Sequence, residues 1–213
     1  MPERSPLVIW GCGGFAREVA ELCRELGLPI AGFLDERPEM KGIEIEGVRV
    51  LGDLPDIAAL RGQAEVLCAG VASPALKRRF WERTREAGHR IARPVVHPGV
   101  RLAATVSVEE GAVITAGCLL TVAIRVEAHA AINLGCTVGH DAVIGRFATL
   151  SPGVMISGNV AVGAGAFLGS NSAVREKIHI GEDAVVGGGA FVAADVPPRT
   201  LFTGVPARFH RAL

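Results

Sequence analysis

An adjacent histidine and aspartate, His140 and Asp141, are the first candidates for chemistry in the sequence. Imidazole titrates near neutral pH and can take a proton from an attacking nucleophile, and a neighbouring carboxylate raises its basicity. An amine or hydroxyl that attacks a carbonyl group needs such a base, and the developing oxyanion needs a hydrogen-bond donor. Gly158 offers a backbone N–H for that role, and Asn133 lies seven residues before His140. A histidine beside an aspartate is common on protein surfaces. The pair is therefore a catalytic candidate only if the elements around it place it at a site.

A repeat of six residues supplies those elements. From Val96 to Val192 every sixth residue is Val, Ile or Leu, and four residues after each comes a small or medium-sized residue, from Val100 to Val196. A helix returns its apolar residues at three and four, and a strand at two, so an unbroken period of six excludes both. Short strands separated by corners fit the pattern, with Gly, Asn and Asp at the corners. Three strands then close one triangular coil, and stacked coils bury their aliphatic side chains.

The repeat register predicts where individual side chains point. His140 and Asp141 take the third and fourth positions of their hexapeptide and should point outward at a corner, with Gly158 at the same corner one coil later. Cys118 and Cys136 lie 18 residues apart in the small register and should stack inside the coils as structural thiols. Since no inserted loop interrupts the register, residues before the repeat must recognise the substrate.

The residues before the repeat read as strand, glycine turn and helix. A buried strand at 7–10 precedes Gly11, Gly13 and Ala16, which match G-x-G-x-x-G/A, and an amphipathic run follows at 17–26. Such glycines allow a tight turn and let backbone N–H groups at a helix start approach a phosphate. A second strand at 30–34 ends at Asp35, about where a ribose-binding acid belongs.

A third strand at 66–69 ends at Gly70, and a helix is predicted at 74–87, which completes a short βαβαβ unit. The unit is about half of a full dinucleotide-binding domain, so a single nucleotide or a nucleotide-linked sugar fits it better than NAD. A glycine turn that serves packing alone is the alternative. We therefore predict a Rossmann-like α/β domain at residues 1–94, followed by a β-helix domain with a C-terminal tail at residues 95–213.

Composition and charge narrow the possible partners and location. Lys plus Arg and Asp plus Glu both number 22, so no net field favours nucleic acid or an anionic membrane. The N-terminus lacks a secretory h-region, and five cysteines without CxxC pairs indicate reduced thiols, which together predict a cytoplasmic protein. His97, His129 and His179 raise the possibility of a zinc enzyme of the γ-carbonic anhydrase type, but the histidine spacing does not fit that site, so no metal is predicted.

The order of these motifs resembles the bacterial sugar acyltransferases, which include the UDP-amino-sugar N-acetyltransferases and the sialic acid O-acetyltransferase group. The likeness covers nearly the whole chain. Its specific parts are GCGGFA at 11–16, FLDE at 33–36, Asn133 with GHDAVIG at 139–145, SPG at 151–153, LGSNSAV at 168–174, GGGA at 187–190 and GVPAR at 204–208. The resemblance implies that the β-helix is left-handed, and that the protein is a homotrimer with each active site between neighbouring subunits.

The resemblance also implies a role for each matching residue. His140 would be the base, supported by Asp141, and acetyl-CoA would donate the acyl group. The nucleotide-linked sugar would contact Gly13, Gly14, Phe15, Asp35, Glu36, Gly70 and Asn133. The coenzyme would contact Thr149, Ser170 and Gly188. Relatives often carry His where this chain has Phe15 and Thr149, which leaves the sugar and one coenzyme contact open.

The leading hypothesis is acetylation of the amine of a nucleotide-linked 4-amino-deoxysugar in a glycan pathway. An O-acetyltransferase acting on a sugar hydroxyl would use the same base and donor. A non-catalytic trimer that binds the sugar nucleotide but not acetyl-CoA is a third hypothesis, of a different class.

Overall fold

The computed structural model describes residues 5–213, so the first four residues of the predicted first domain lie outside the described residues. The chain begins as a six-stranded sheet in the order β3-β4-β2-β1-β5-β6. Its strands are β1 (Leu7–Trp10), β2 (Ile30–Leu34), β3 (Glu44–Ile45), β4 (Val48–Gly52), β5 (Glu65–Leu67) and β6 (Arg90–Ile91). All neighbouring pairs are parallel except the β3–β4 hairpin. The three predicted strands are present, whereas β3, β4 and β6 were not predicted.

Two helices, α1 (Gly14–Glu25) and α2 (Pro74–Glu86), pack on opposite sides of this sheet. Side chains alternate along a strand, so Leu7 and Ile9 of β1 pack with α1, while Val8 and Trp10 pack with α2. The Trp10 ring stacks on Phe80 with the ring centroids 4.2 Å apart. The sheet and its two helices form one α/β layer.

The rest of the chain forms coils of two-residue strands, and each strand from Val95–Val96 to Ala173–Val174 pairs in parallel with the strand 18 residues later. The strands are β7 (Val95–Val96), β8 (Ser107–Val108), β9 (Val113–Ile114), β10 (Leu119–Leu120), β11 (Arg125–Val126), β12 (Ala131–Ile132), β13 (Thr137–Val138), β14 (Val143–Ile144), β15 (Thr149–Leu150), β16 (Met155–Ile156), β17 (Ala161–Val162), β18 (Phe167–Leu168), β19 (Ala173–Val174), β20 (His179–Ile180), β21 (Val185–Val186) and β22 (Phe191–Val192). A final hairpin of β23 (Thr200–Thr203) and β24 (Arg208–Ala212) extends one sheet.

The strands form three flat faces. The covered face contains β7, β9, β12, β15, β18, β21 and the hairpin, and the apolar face contains β10, β13, β16, β19 and β22. The third face contains β8, β11, β14, β17 and β20. The outward side chains of Val113, Ala131 and Thr149 on the covered face are buried beneath the α/β layer. On the apolar face Leu119, Met155 and Phe191 point outward and are exposed.

The interior of the coils follows the predicted period of six. Ile114, Ile132 and Leu150 are buried in one aliphatic stack, as the register predicts. Cys118 and Cys136 are buried free thiols in the small register, as predicted. The register is interrupted in the first coil, because Leu102 is 37% exposed and no strand forms there. With only one neighbouring coil, that segment has no second partner to bury its side chain.

Helix α2 connects the α/β layer to the coils through a fully buried lysine. Lys77 Nζ donates to Thr149 Oγ1 at 2.7 Å and to the Ala148 carbonyl at 2.9 Å. Burial among these neutral acceptors lowers the pKa of Lys77 well below its ordinary value. Nearby, the Trp81 ring of α2 contacts Phe147 edge-on, with the ring centroids 5.7 Å apart. Neither α1 nor α2 nor any other helix within 5–213 has the length and apolar character needed to cross a membrane.

Candidate active site

His140 lies at the corner that follows β13, as the register predicts. Its Nδ1 is 2.7 Å from Asp141 Oδ2, and both side chains are more than half exposed. Asp141 adopts φ +59°, a left-handed conformation that aspartate tolerates and that turns its carboxylate towards the ring. In the tautomer that carries its proton on Nδ1, the ring donates to the carboxylate and Nε2 has the lone pair.

Gly158 lies directly beneath the His140 ring. A Cβ at position 158 would stand 2.5 Å from Nε2 and 2.7 Å from Cε1 of His140, so any side chain there would displace the ring. The carbonyl of Gly158 accepts from Lys177, whereas its N–H has no acceptor within residues 5–213. Gly158 therefore both leaves room for the imidazole and offers a free N–H.

Asn133 is not in contact with His140 in the described chain. It lies at the corner after β12, where its Oδ1 accepts from the Leu134 N–H at 2.7 Å. Ser170 and Gly188 lie on the same row of corners as Asn133, two and three coils further on. Both are exposed, and the Gly189 N–H donates to the Ser170 carbonyl at 2.8 Å. This row and the corner of His140 flank the apolar face on either side.

Thr149 does not lie on this open row. Its side chain is 2% exposed, its hydroxyl donates to the Ala72 carbonyl at 2.7 Å, and it accepts from Lys77. The prediction that Thr149 contacts the coenzyme is wrong for its side chain, because that side chain joins α2 to the coils. The alternation that places Leu150 inside the coil points Thr149 outward, into the α/β layer.

The glycine turn opens into a cavity of about 360 Å³. Its walls are the turn itself, the end of β2 and the first turns of α2, and they consist of Gly11, Cys12, Gly13, Leu34, Asp35, Glu36, Arg37, Val71, Leu76, Arg79 and Phe80. A Cβ at Gly13 or Gly14 would meet nothing within 4 Å, so the start of α1 is open. No side chain caps α1, and no acidic residue occupies its first turn. Its first N–H groups are therefore available to an anion.

Asp35 lines this cavity, but its oxygens are already occupied. Oδ1 accepts from the backbone N–H and Nε of Arg37 at 3.0 and 2.8 Å. Oδ2 accepts from Arg37 Nη2 at 2.9 Å and from the Cys12 thiol at 3.0 Å. The Arg37 guanidinium lowers the pKa of Asp35 to about 2. Burial, with help from Asp35, raises the pKa of Cys12 to about 11, so the thiol keeps its proton and donates it.

Glu36 also lines the cavity and is paired with arginines of α2. Its Oε2 accepts a hydrogen bond from Arg79 Nη2, and its Oε1 accepts one from Arg83 Nη1 at 2.6 Å. Arg83 also reaches Asp53 Oδ2 at 2.8 Å, which ties the end of β2 to the segment after β4. The carboxylates predicted to face the ligand are thus each neutralised by a guanidinium.

Two other predicted sugar contacts lie outside the cavity lining. Gly70 is buried, and a side chain there would collide with the Trp10 backbone oxygen, so this glycine allows a close approach to β1. Its neighbour Val71 lines the cavity in its place. Phe15 is half-buried and packs against the core on the α1 side of the sheet. The close packing of Gly70 on β1 is one reason for a glycine at this position, and its contact with the sugar stays a prediction.

The remaining histidines of the repeat do not converge. His129 is buried, with its ring stacked on Phe147 at a centroid distance of 5.1 Å, and burial, then Arg146 and Lys77, lower its pKa to about 3. His97 Nε2 is 2.8 Å from Glu25 Oε2, and His179 is exposed on the third face. Across residues 5–213 no cluster of three or more His, Cys, Asp or Glu could hold a metal ion.

Sequence reasoning missed Arg37, Arg79 and Lys77. Arg37 follows Asp35 by two residues, and this position just after a predicted strand could have indicated that it pairs with that acid. Lys77 lies within a predicted amphipathic helix, where nothing in the sequence distinguishes a buried lysine from an exposed one. Its partner is 72 residues away in the chain.

At the level of sequence, the chain matches one family model but no individual curated protein. A family model described as the PglD N-terminal domain matches residues 6–84. Comparison with curated proteins gives no match. The family match covers the α/β layer nearly to the end of α2, so the coils are compared through structures.

Solved structures match the chain from end to end. PerB from Caulobacter crescentus, in complex with CoA and GDP-perosamine, is 31% identical with a TM-score of 0.88, covering 96% of this chain and 97% of that chain. A histidine-to-asparagine mutant of perosamine N-acetyltransferase from the same organism is 30% identical with a TM-score of 0.88, covering 96% of each chain. The acetyltransferase domain of PglB from Neisseria gonorrhoeae FA1090, in complex with acetyl coenzyme A, is 25% identical with a TM-score of 0.88, covering 98% and 100%.

Proposed function

The chain belongs to the bacterial nucleotide-sugar acetyltransferases of the hexapeptide-repeat family, and we propose that it acetylates the amine of a nucleotide-linked 4-amino-deoxysugar with acetyl-CoA as the donor. It is therefore an acyltransferase, and the proposal concerns its acceptor and its catalytic residues. The complex of PerB with CoA and GDP-perosamine supports an amino sugar as the acceptor.

The geometry of His140 carries this proposal. Asp141 holds Nδ1 at 2.7 Å, which leaves Nε2, next to Gly158, as the proposed proton acceptor. As the sugar amine attacks the thioester carbonyl, a C–N bond forms, Nε2 takes the proton that the amine loses, and the C–S bond then breaks to release the thiol of CoA. The imidazolium returns that proton to the sulfur or to solvent.

Gly158 is the proposed oxyanion donor. Its N–H has no acceptor in residues 5–213, and the residue lies in contact with the His140 ring. A backbone donor at this place stabilises negative charge on the carbonyl oxygen as the tetrahedral intermediate forms. The donor would then bind the carbonyl oxygen while the base takes the proton from the attacking amine.

The two substrates are proposed to bind at the glycine-turn cavity and at the row of corners that holds Ser170 and Gly188. The cavity at the glycine turn takes the nucleotide-linked sugar through Gly13, Gly14 and its charged wall. Ser170 and Gly188 present backbone groups to the coenzyme, which supplies the activated acetyl thioester. Asn133, on the same row of corners as Ser170 and Gly188, is proposed to contact the sugar.

We further propose that the coils wind left-handed, that the Rossmann-like domain spans 1–94 with the β-helix domain at 95–213, and that the protein is a homotrimer. The apolar face supports the trimer, because exposed Leu119, Met155 and Phe191 form a stripe that a second copy would cover. A neighbour packed there would bring the row of Ser170 and Gly188 of one copy towards the His140 corner of the next. Five free cysteines agree with a reducing, cytoplasmic location.

Incubation with acetyl-CoA and a panel of UDP-, GDP- and dTDP-linked 4-amino sugars tests the function, with the product followed by mass spectrometry. His140→Ala should lose a factor on the order of 10² to 10⁴ in turnover while keeping its fold. His179→Ala, which removes an exposed histidine from the third face, is the matched control and should turn over normally. Unchanged turnover in His140→Ala, or acetylation of a hydroxyl instead of the amine, contradicts the proposal.

A further inference from the structure

Arg37 occupies an unusual place between the glycine turn and the end of β2. Its Nε and Nη2 form a two-pronged bond with Asp35 at 2.8 and 2.9 Å, and Nη2 is also 3.6 Å from Cys12 Sγ. Cys12 immediately precedes Gly13, where the open start of α1 begins. The guanidinium is therefore held against the turn that carries the free N–H groups.

Asp35 is poorly placed to receive a ligand hydroxyl. Both of its oxygens accept two hydrogen bonds each, from Arg37 and Cys12, and its side chain is 11% exposed. A carboxylate at this strand end commonly binds a ribose hydroxyl, but here that role would require breaking one of these bonds. The group at this strand end that is open to the cavity is the guanidinium.

Arg37 has unused donors on the cavity side. Its side chain is 58% exposed, and Nη1 has no partner in the part of the chain that the structure describes. Arg79, the other guanidinium in the lining, is bound to Glu36 and lies over the Phe80 ring at 5.3 Å. A guanidinium that is fixed on one edge and free on the other loses little conformational freedom when it binds an anion.

We propose that Arg37, held over the glycine turn by Asp35 and Cys12, is the side chain that binds the diphosphate of the nucleotide-linked sugar. This inference rests on the proposed function. Together with the N–H groups at the start of α1, Nη1 supplies charged donors to the phosphate oxygens. Asp35 is then a positioning residue, which acts on the ligand only through Arg37.

Titration calorimetry with UDP, GDP and dTDP, and with the corresponding nucleosides, tests the assignment on the full chain. Arg37→Met should weaken binding of the preferred diphosphate by roughly ten- to a hundredfold, the effect of losing a hydrogen bond to a charged group. Binding of the nucleoside should not change. Arg101→Met removes an exposed arginine elsewhere and controls for net charge. Direct binding of acetyl-CoA should be the same in all variants.

A double-mutant cycle separates positioning from direct contact. Asp35→Asn should weaken diphosphate binding nearly as much as Arg37→Met, and the double variant should be no weaker than Arg37→Met alone. Additive losses would show that Asp35 contacts the ligand itself and would overturn the inference, as would unchanged binding in Arg37→Met. If the wild-type protein binds none of the diphosphates, the proposed function fails, which is a different result.

Discussion

The contact between Gly158 and the His140 ring makes Gly158→Ala the most informative substitution. The new methyl group would lie 2.5 Å from Nε2, 2.7 Å from Cε1 and 3.0 Å from Cδ2. The backbone at 158 is outside the left-handed region, so alanine fits the chain conformation without strain. Because the ring is exposed, it can swing away, and the fold should survive while the base is displaced.

The size of the effect follows from these distances. Non-bonded carbon and nitrogen atoms settle near 3.5 Å, so the ring must move by about 1 Å. A displacement of about 1 Å from a productive geometry can cost on the order of 10² in rate. The alanine keeps the backbone N–H of residue 158, so the loss reports the position of His140 rather than loss of the oxyanion donor.

Release of the CoA thiol, followed with a chromogenic disulfide, measures kcat, and a thermal melt measures stability. Gly99→Ala is the matched control, since its methyl group would crowd the His97 ring at 3.1 Å, away from the proposed site. His140→Ala added to Gly158→Ala should lower turnover no further than His140→Ala alone. Wild-type kcat in a well-folded Gly158→Ala would refute the reasoning, because the ring would then not need its present position.

Three further predictions concern stability and assembly. Lys77→Met should destabilise the protein by about 1–3 kcal/mol, because it removes the two buried hydrogen bonds that Lys77 Nζ donates to the Ala148 carbonyl and to Thr149 Oγ1. Because the folded-state pKa of Lys77 lies below the ordinary 10.5, wild-type stability in urea should rise as pH approaches 10.5, and this rise should vanish in the variant. The pKa of His129, about 3 against 6.5, predicts stability lost as pH falls between those values, and His129→Phe should remove the loss. Met155→Asp on the apolar face should dissociate the proposed trimer in light scattering and abolish turnover; a trimer that persists would place the interface elsewhere.

The coils could be predicted from the sequence because they depend on residue types that recur every six positions. Ile132 and Leu150 repeat at intervals that no helix or simple strand shares, and the structure buries both. The outward direction of His140 and the left-handed backbone of Asp141 follow from the same register. The glycine turn and α1 were predictable because Gly11 and Gly13 mark a backbone geometry rather than a distant contact.

The parts that sequence reasoning missed depend on pairs that are remote in the chain. Thr149 has an ordinary outward position in the repeat, and only the arrival of α2 with Lys77 buries it. Asp35 matched the position of a ribose-binding acid, but its pairing with Cys12 across 23 residues decides what it can accept. The first coil departs from its pattern because Leu102 lacks a second neighbouring coil, and periodicity alone does not reveal an end effect.

Helix α2 carries both the cavity wall and the contact with the coils. Leu76 and Phe80 face the cavity, while Lys77, one residue along from Leu76, is fixed to the strand that holds Thr149. Two packed units in one chain ordinarily move relative to each other unless their contact is large or specifically bonded. Here α2 spans from the proposed nucleotide cavity to the coils, and α1 also contacts the coils at β7. Because both helices hold the two units together, hinge closure is not needed to position the acceptor. Selection among acceptors would then depend on their length. A sugar nucleotide longer or shorter than this fixed span would place its amine too far from the proposed base, His140, to react.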